Sequence, residues 1–293
     1  MLNTNTLCTN PAPANIALHT AVKKNDIKAV LTALENDGNP NFASSKDIRP
    51  ILFDSIQQDS KDGMMCTKAL LSRGANTDFN LISNCNSVLH EAASLGSKSQ
   101  CEILLEHEEN DIVKDKPLIN RENSYGNTPL FSAVRNGSIE TVKLLLDNGA
   151  DVNHMNHLGS SVLHLCCFLA TPTERSTKFL SPPVKSHDCD PASVEPDYVK
   201  IASMIISSGY VANLDLYDET GHTPLHIASV RGCIPLIKLL VESGADLNKL
   251  TKYDYKGRGR RNAISMASFG GMKECHDLLL KYQQHYINQL RDE

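Results

Sequence analysis

The 293-residue chain contains no tryptophan, and aromatic residues make up only 5% of it. Its core is therefore expected to rest on Leu, Ile, Val and Ala. Long apolar runs are also missing. The longest, Val162–Ala170, spans nine residues and is interrupted by His164. A spanning helix needs ~20 apolar residues, so membrane insertion is not expected. The opening stretch MLNTNTLCTNPAP has neither the basic start nor the apolar core of a secretory signal. Neither sign of charge dominates: 34 acids face 29 bases for a formal net charge of -5, which gives no global attraction for nucleic acid. Nine scattered cysteines form no disulfide framework, which points to reduced thiols and a cytoplasmic or nuclear compartment. Catalytic signatures are absent too. There is no Gly-rich phosphate loop ending in Lys-Ser/Thr, no G-x-S-x-G and no H-E-x-x-H. No enzymatic activity, cofactor or metal is expected on that basis. What is present is globular in kind: 41% hydrophobic and 22% charged residues, with 16 Gly and 13 Pro, which excludes whole-chain disorder and a collagen-like repeat.

The chain repeats itself. Asn127–Asn153 (NTPLFSAVRNGSIETVKLLLDNGADVN) recurs as His222–Asn248 (HTPLHIASVRGCIPLIKLLVESGADLN). Walking this register outward places the proline-equivalent position at Ala17, Ile51, Val88, Pro129, Val162, Pro224 and Ala263, with spacings of 34, 37, 41, 33, 62 and 39 residues. Thr128 and Thr223 are suited to cap a helix, with Pro129 and Pro224 at its first position, where a missing N–H costs nothing. Leu130, Ala133 and Val134, like Leu225, Ala228 and Ser229, form its packed face. Gly137 and Gly232 end it with positive φ. Val142, Leu144, Leu145 and Leu146 form the apolar stripe of a second helix, which Gly149 ends, as Gly244 does in the later repeat. His19, His90, His164 and His226 share one repeat position, where a histidine can hydrogen-bond the neighbouring loop and stitch repeats together.

A unit of about 33 residues carrying T-P-L-H-x-A and a later G-A-D resembles the ankyrin repeat. The resemblance implies an all-α solenoid of about seven helix-turn-helix repeats with hairpin-like finger loops. Residues 1–13 are expected to form a flexible N-terminus, 14–282 the repeat domain, and 283–293 a C-terminal helix extension and tail. Nothing after the last repeat resembles a SOCS box or F-box.

Three segments break the period. The 62-residue step places an insertion at about residues 170–196, with five prolines (Pro172, Pro182, Pro183, Pro191 and Pro196), read as an extended or disordered loop between the helices of one repeat. It is either a binding or phosphorylation loop or a spacer. His164, Cys166, Cys167, His187 and Cys189 lack the paired spacing of a structural zinc site. Cys189 lies between Asp188 and Asp190, which disfavour a thiolate nucleophile. Glu106–Pro117 carries five acids against Lys114 and Lys116 and reads as a solvated loop. Lys249–Arg261 carries six bases, one acid and the interleaved Tyr253 and Tyr255. This finger suits an acidic protein partner, a phosphate group or a nuclear-import receptor, or is simply solvated.

The family resemblance implies a non-enzymatic scaffold or adaptor, monomeric, that binds another protein through its groove and fingers rather than nucleic acid or a membrane. The register places Ser132, Arg135, Asn136, Ile227, Val230 and Arg231 on the groove, with Glu91, Leu95, Leu165 and Leu169 flanking them. The fingers bring Tyr125, Met155, His157, Leu216, Tyr217, Tyr253, Tyr255 and Arg258. Alternatives are an inhibitor masking a transcription factor or enzyme, and a pathogen effector acting in a host cell. Asn153 and Asn248 resemble sites of asparagine hydroxylation in ankyrin repeats, or serve only to stabilise the hairpin turn.

Overall fold

A computed structural model describes residues 12–44, 49–109, 117–170, 197–210, 212–254, 257 and 259–292. The N-terminal tail before residue 12, the stretch 110–116 and the insertion 171–196, with His187 and Cys189, lie outside the described residues.

The chain divides into two compact units, Met1–Ala150 and Asp151–Glu293. Among the described residues the first holds four helix pairs: α1 (Pro13–Lys23) with α2 (Ile27–Glu35), α3 (Ile51–Ser55) with α4 (Lys61–Ser72), α5 (Val88–Ser94) with α6 (Lys98–Glu109), and α7 (Pro129–Asn136) with α8 (Ile139–Asp147). The second holds three: α9 (Val162–Leu169) with α10 (Tyr198–Ser207), α11 (Pro224–Arg231) with α12 (Ile234–Glu242), and α13 (Ala263–Phe269) with α14 (Lys273–Asp292). Within each unit the first helices pack in sequence, α1 to α3 to α5 to α7 and α9 to α11 to α13. The second helices form the parallel layer, α2 to α4 to α6 to α8 and α10 to α12 to α14. The seven pairs match the expected repeat number. No helix among the described residues is long and apolar enough to cross a membrane.

Local chemistry sets the helix limits. Six first helices, α3, α5, α7, α9, α11 and α13, start at the residue the register assigns. The exception is α1, expected from Ala17 but starting at Pro13. Proline there is preset for a helix, and the N–H groups of Asn15 and Ile16 already reach the Ala12 carbonyl at 2.9 and 3.2 Å. Gly137 and Gly232 close α7 and α11 at φ 78° and 81°, where a side chain would be strained.

Apart from α14, these helices run 12 residues or fewer, too short to be stable alone, so the stacked core must hold them. Leu18, Leu70, Leu89, Leu104, Leu130 and Leu145 are fully buried in the first unit, and Ile201, Leu236, Leu240 and Leu279 in the second. Each contributes ~1.5–3 kcal/mol by leaving water. The expected aliphatic core has aromatic exceptions: Phe53 is fully buried and Phe42 and Phe131 nearly so. Thr141 takes a core position on α8 and donates to the Gly96 carbonyl at 3.0 Å, whereas Leu144 is only half-buried. Strand structure among the described residues is limited to one short ladder, β1 (Ala43–Ser44) antiparallel to β2 (Arg49–Pro50) in the first finger, and an isolated bridge between Asn80 and Ser87.

Candidate protein-binding surface

Three of the four repeat histidines are bracketed identically. Nδ1 of His90, His164 and His226 accepts from the backbone N–H of Ser87, Ser161 and Thr223 at 3.2, 3.1 and 3.1 Å. The hydroxyl of the same residue lies 2.7, 2.8 and 2.8 Å from that nitrogen and donates to it. Because a backbone N–H can only donate, Nδ1 carries no proton and Nε2 does. Nε2 of His90 donates to the Asn127 carbonyl at 2.8 Å, and that of His164 to the His222 carbonyl at 3.1 Å. Nε2 of His226 lies 3.0 Å from both the Lys249 and Arg261 carbonyls. Each ring therefore ties a helix start to a finger and has no nitrogen left for a metal or substrate. His19 differs: its Nε2 lies 3.1 Å from Asp54, which also pairs with Arg49 at 3.3 Å.

The fourth bracket position shows what a missing histidine costs. Phe131 stands where His226 stands in the later repeat, and the buried Thr128 hydroxyl, expected to cap α7, has no hydrogen-bond partner. Thr223→Val is therefore expected to destabilise by about 1–2 kcal/mol through loss of its cap. Thr128→Val is expected to be neutral or stabilising by up to about 1 kcal/mol, because it removes an unsatisfied buried hydroxyl. Urea midpoints of the two variants would check this contrast.

The outer faces of the first helices carry the sequence-assigned groove residues. In the first unit Arg135 and Leu95 are exposed and Ser132 is half-buried. Asn136 is exposed but donates to the Ser94 carbonyl at 2.9 Å, so its amide holds α7 to α5. Glu91 accepts from Asn86 at 2.7 Å and lies 3.9 Å from Arg49, making it part of the scaffold. In the second unit Leu165, Leu169, Ile227 and Val230 are half-buried on the packed helices α9 and α11. The register missed two members of this strip: Phe168, 37% exposed, and Phe269, 48% exposed. Both occupy the position six residues after the helix start, as Val230 does, so the signal was present in the repeat alignment. Arg231 corrects the expectation of an open groove charge. It is only 8% exposed, and its guanidinium carbon lies 4.7 Å from the Phe168 ring centroid. Arg261 makes the matching stack on Phe269 at 4.0 Å.

A family model described as ankyrin repeats (3 copies) matches residues 52–156 and 192–291. The chain belongs to the ankyrin-repeat family. It is 28% identical over 191 residues to the transient receptor potential cation channel subfamily A member 1 of Drosophila melanogaster, covering 65% of this chain and 14% of the channel. It is 31% identical over 178 residues to the nuclear factor NF-kappa-B p105 subunit of Gallus gallus, covering 60% of this chain and 15% of p105. The solved ankyrin repeat domain of Bcl-3, a member of the IkappaB protein family, superposes with a TM-score of 0.67 at 20% identity, covering 90% of this chain and 97% of that one. That likeness shows the ankyrin fold.

The ankyrin fingers carry the remaining sequence-assigned residues. Met155 and Tyr253 are exposed, and the Lys252 ammonium lies 5.3 Å from the Tyr253 ring centroid. Tyr217 is half-buried: its hydroxyl donates to the Leu250 carbonyl at 2.8 Å, and Lys249 sits 5.0 Å from its ring centroid. Tyr255 and Arg258 lie outside the described residues. Asn153 and Asn248 are exposed, each with its own N–H bonded to the aspartate two residues earlier, at 2.9 and 2.8 Å. Asn153 Oδ1 accepts from the Asn213 N–H at 2.7 Å and so joins two fingers, while Asn248 Oδ1 accepts from Gln283 at 3.1 Å. Among the described residues, no three His, Cys, Asp or Glu side chains converge on a metal position. Cys166 and Cys167 are buried, and desolvation pushes both thiols well above their usual range.

Proposed function

We propose that the chain is a non-enzymatic interaction module that acts as a monomer and holds a partner protein on the outer face of its first helices, with the fingers at the border. The observation that carries this reading is the strip Leu165, Phe168, Leu169, Ile227, Val230 and Phe269, apolar side chains left partly open on three packed helices. Aromatic and arginine side chains at such a face are the residues that dominate binding energy. The described cysteines are all free, which supports a reducing compartment, the cytoplasm or nucleus. A second role, masking a transcription factor, is supported by the similarity to p105 and to the Bcl-3 fold. Asn153 and Asn248 stay proposed hydroxylation sites, and intact mass from cells should show an added oxygen if either is used.

Affinity capture with the whole chain and with Ile227→Asp tests the module reading, with circular dichroism confirming that the variant is folded. A charge at a half-buried position in the middle of the strip is expected to abolish capture of the specific partner. Equal capture by both proteins would rule the strip out as the binding face.

A further inference from the structure

Arg231 ends α11 in a setting that leaves its charge unanswered. Its Nε is sealed from solvent and has no hydrogen-bond partner. Among the described residues its two terminal nitrogens have no hydrogen-bond partner either, and the residue as a whole keeps 8% exposure. Among the described residues no carboxylate pairs with it. What surrounds it is the Phe168 ring on α9 and the thiols of Cys167 and Cys233. Desolvation draws the guanidinium down from its usual range, and both of those thiols are held in the neutral form by burial. Burying an unpaired charge lowers stability, and folded proteins otherwise pair such groups.

We infer that the Arg231 guanidinium is the receptor for a carboxylate side chain of a bound peptide, whose adjacent apolar side chain rests on Phe168, Ile227 and Val230. This rests on the strip being a protein-binding face. Charge complementarity points to the occupant. The stacked Arg261, two residues before α13, adds a second cation to the same unit, and Lys249, Lys252 and Arg260 line the finger that leads into α13. A planar guanidinium matches one carboxylate through paired N–H bonds. The Phe168 ring beneath holds the plane of the guanidinium, so little side-chain freedom is lost when an acid docks.

The test is selection of a random-peptide display library on the full chain, with the selected peptides measured against Arg231→Met and Ile227→Asp. Methionine keeps the stem volume and the contact with Phe168 while removing the charge. The expected result is enrichment of Asp or Glu beside Leu or Phe, and affinity reduced by roughly 30-fold or more in Arg231→Met. Replacing the peptide acid by its amide should weaken binding to the wild type by a similar factor and leave Arg231→Met unaffected. The Arg231→Met chain itself should unfold at a midpoint no lower than the wild type, since an unpaired buried charge has been removed. If peptides bind and are lost in Ile227→Asp but show no acid enrichment, or bind Arg231→Met unchanged, the strip is the binding face and the carboxylate receptor is overturned. If Ile227→Asp also binds unchanged, or no peptide is selected, both readings fall.

Discussion

Lowering the pH from about 7.5 to about 4.5 is expected to strip several kcal/mol from the stability of this chain, largely through its repeat histidines. Burial lowers His90 and His226 from 6.5 to about 4, and lowers His164 in the same direction. Desolvation is the main cause, and the bracketing gives it a structural basis: Nδ1 accepts a backbone N–H, so a proton there breaks the helix cap. Arg121 adds to the depression at His90, and His222 to that at His226, whereas Asp218 and the accepting carbonyls oppose it. The folded pKa lies below the unfolded one, so the unfolded chain binds more protons between them. The stabilisation is complete above about pH 6.5 and is lost as the pH falls toward 4. For the shifts at His90 and His226 it amounts to roughly 3 kcal/mol each. Urea unfolding at a series of pH values should give stability rising with pH across this window, and a His90→Gln, His226→Gln double variant should show a clearly shallower slope. An equal slope in both proteins would assign the acid sensitivity to carboxylates instead.

Gly270→Ala is expected to cost about 1–3 kcal/mol or more, by overpacking two helices that lie almost backbone to backbone. A Cβ built at Gly270 would sit 2.5 Å from the Val230 carbonyl oxygen and 3.2 Å from its carbonyl carbon and Cα. The obstruction is backbone, so no side chain can swing away, and α13 must move off α11. Gly270 has φ -74°, an ordinary helical value, so close approach alone demands glycine here. Gly271, the next residue, shows the opposite case: φ is 70° with open space around the missing Cβ. Alanine at 271 should cost only the ~1–2 kcal/mol of a left-handed backbone. Thermal midpoints of both variants separate the two causes. Displacing α13 would also shift Phe269 and Arg261, so Gly270→Ala should weaken partner capture as well as stability.

Much of the repeat was legible because its rules are local. Six helix starts were readable from the register, and a histidine three residues after a Ser or Thr at a helix start was readable as a stitch between repeats. Such features depend on residues within one turn of each other and on the positive φ of glycine. Errors arose where an element ran past the repeat, as at Pro13. They arose again where one substitution broke a reciprocal pair, as when Phe131 left the Thr128 hydroxyl unbonded.

By itself, then, the sequence determined the family, the order of seven helix pairs and the starts of six of the seven first helices, because capping and backbone preference act over a few residues. Only the tertiary structure decided which side of each first helix is open. Arg231 reads as a groove charge in sequence, yet it is recessed over Phe168, while Phe168 and Phe269, which the groove reading left out, stand 37% and 48% exposed. Exposure at a helix end is set by how closely the next helix approaches and by which ring lies across the gap, and for Arg231 both depend on residues more than thirty positions away.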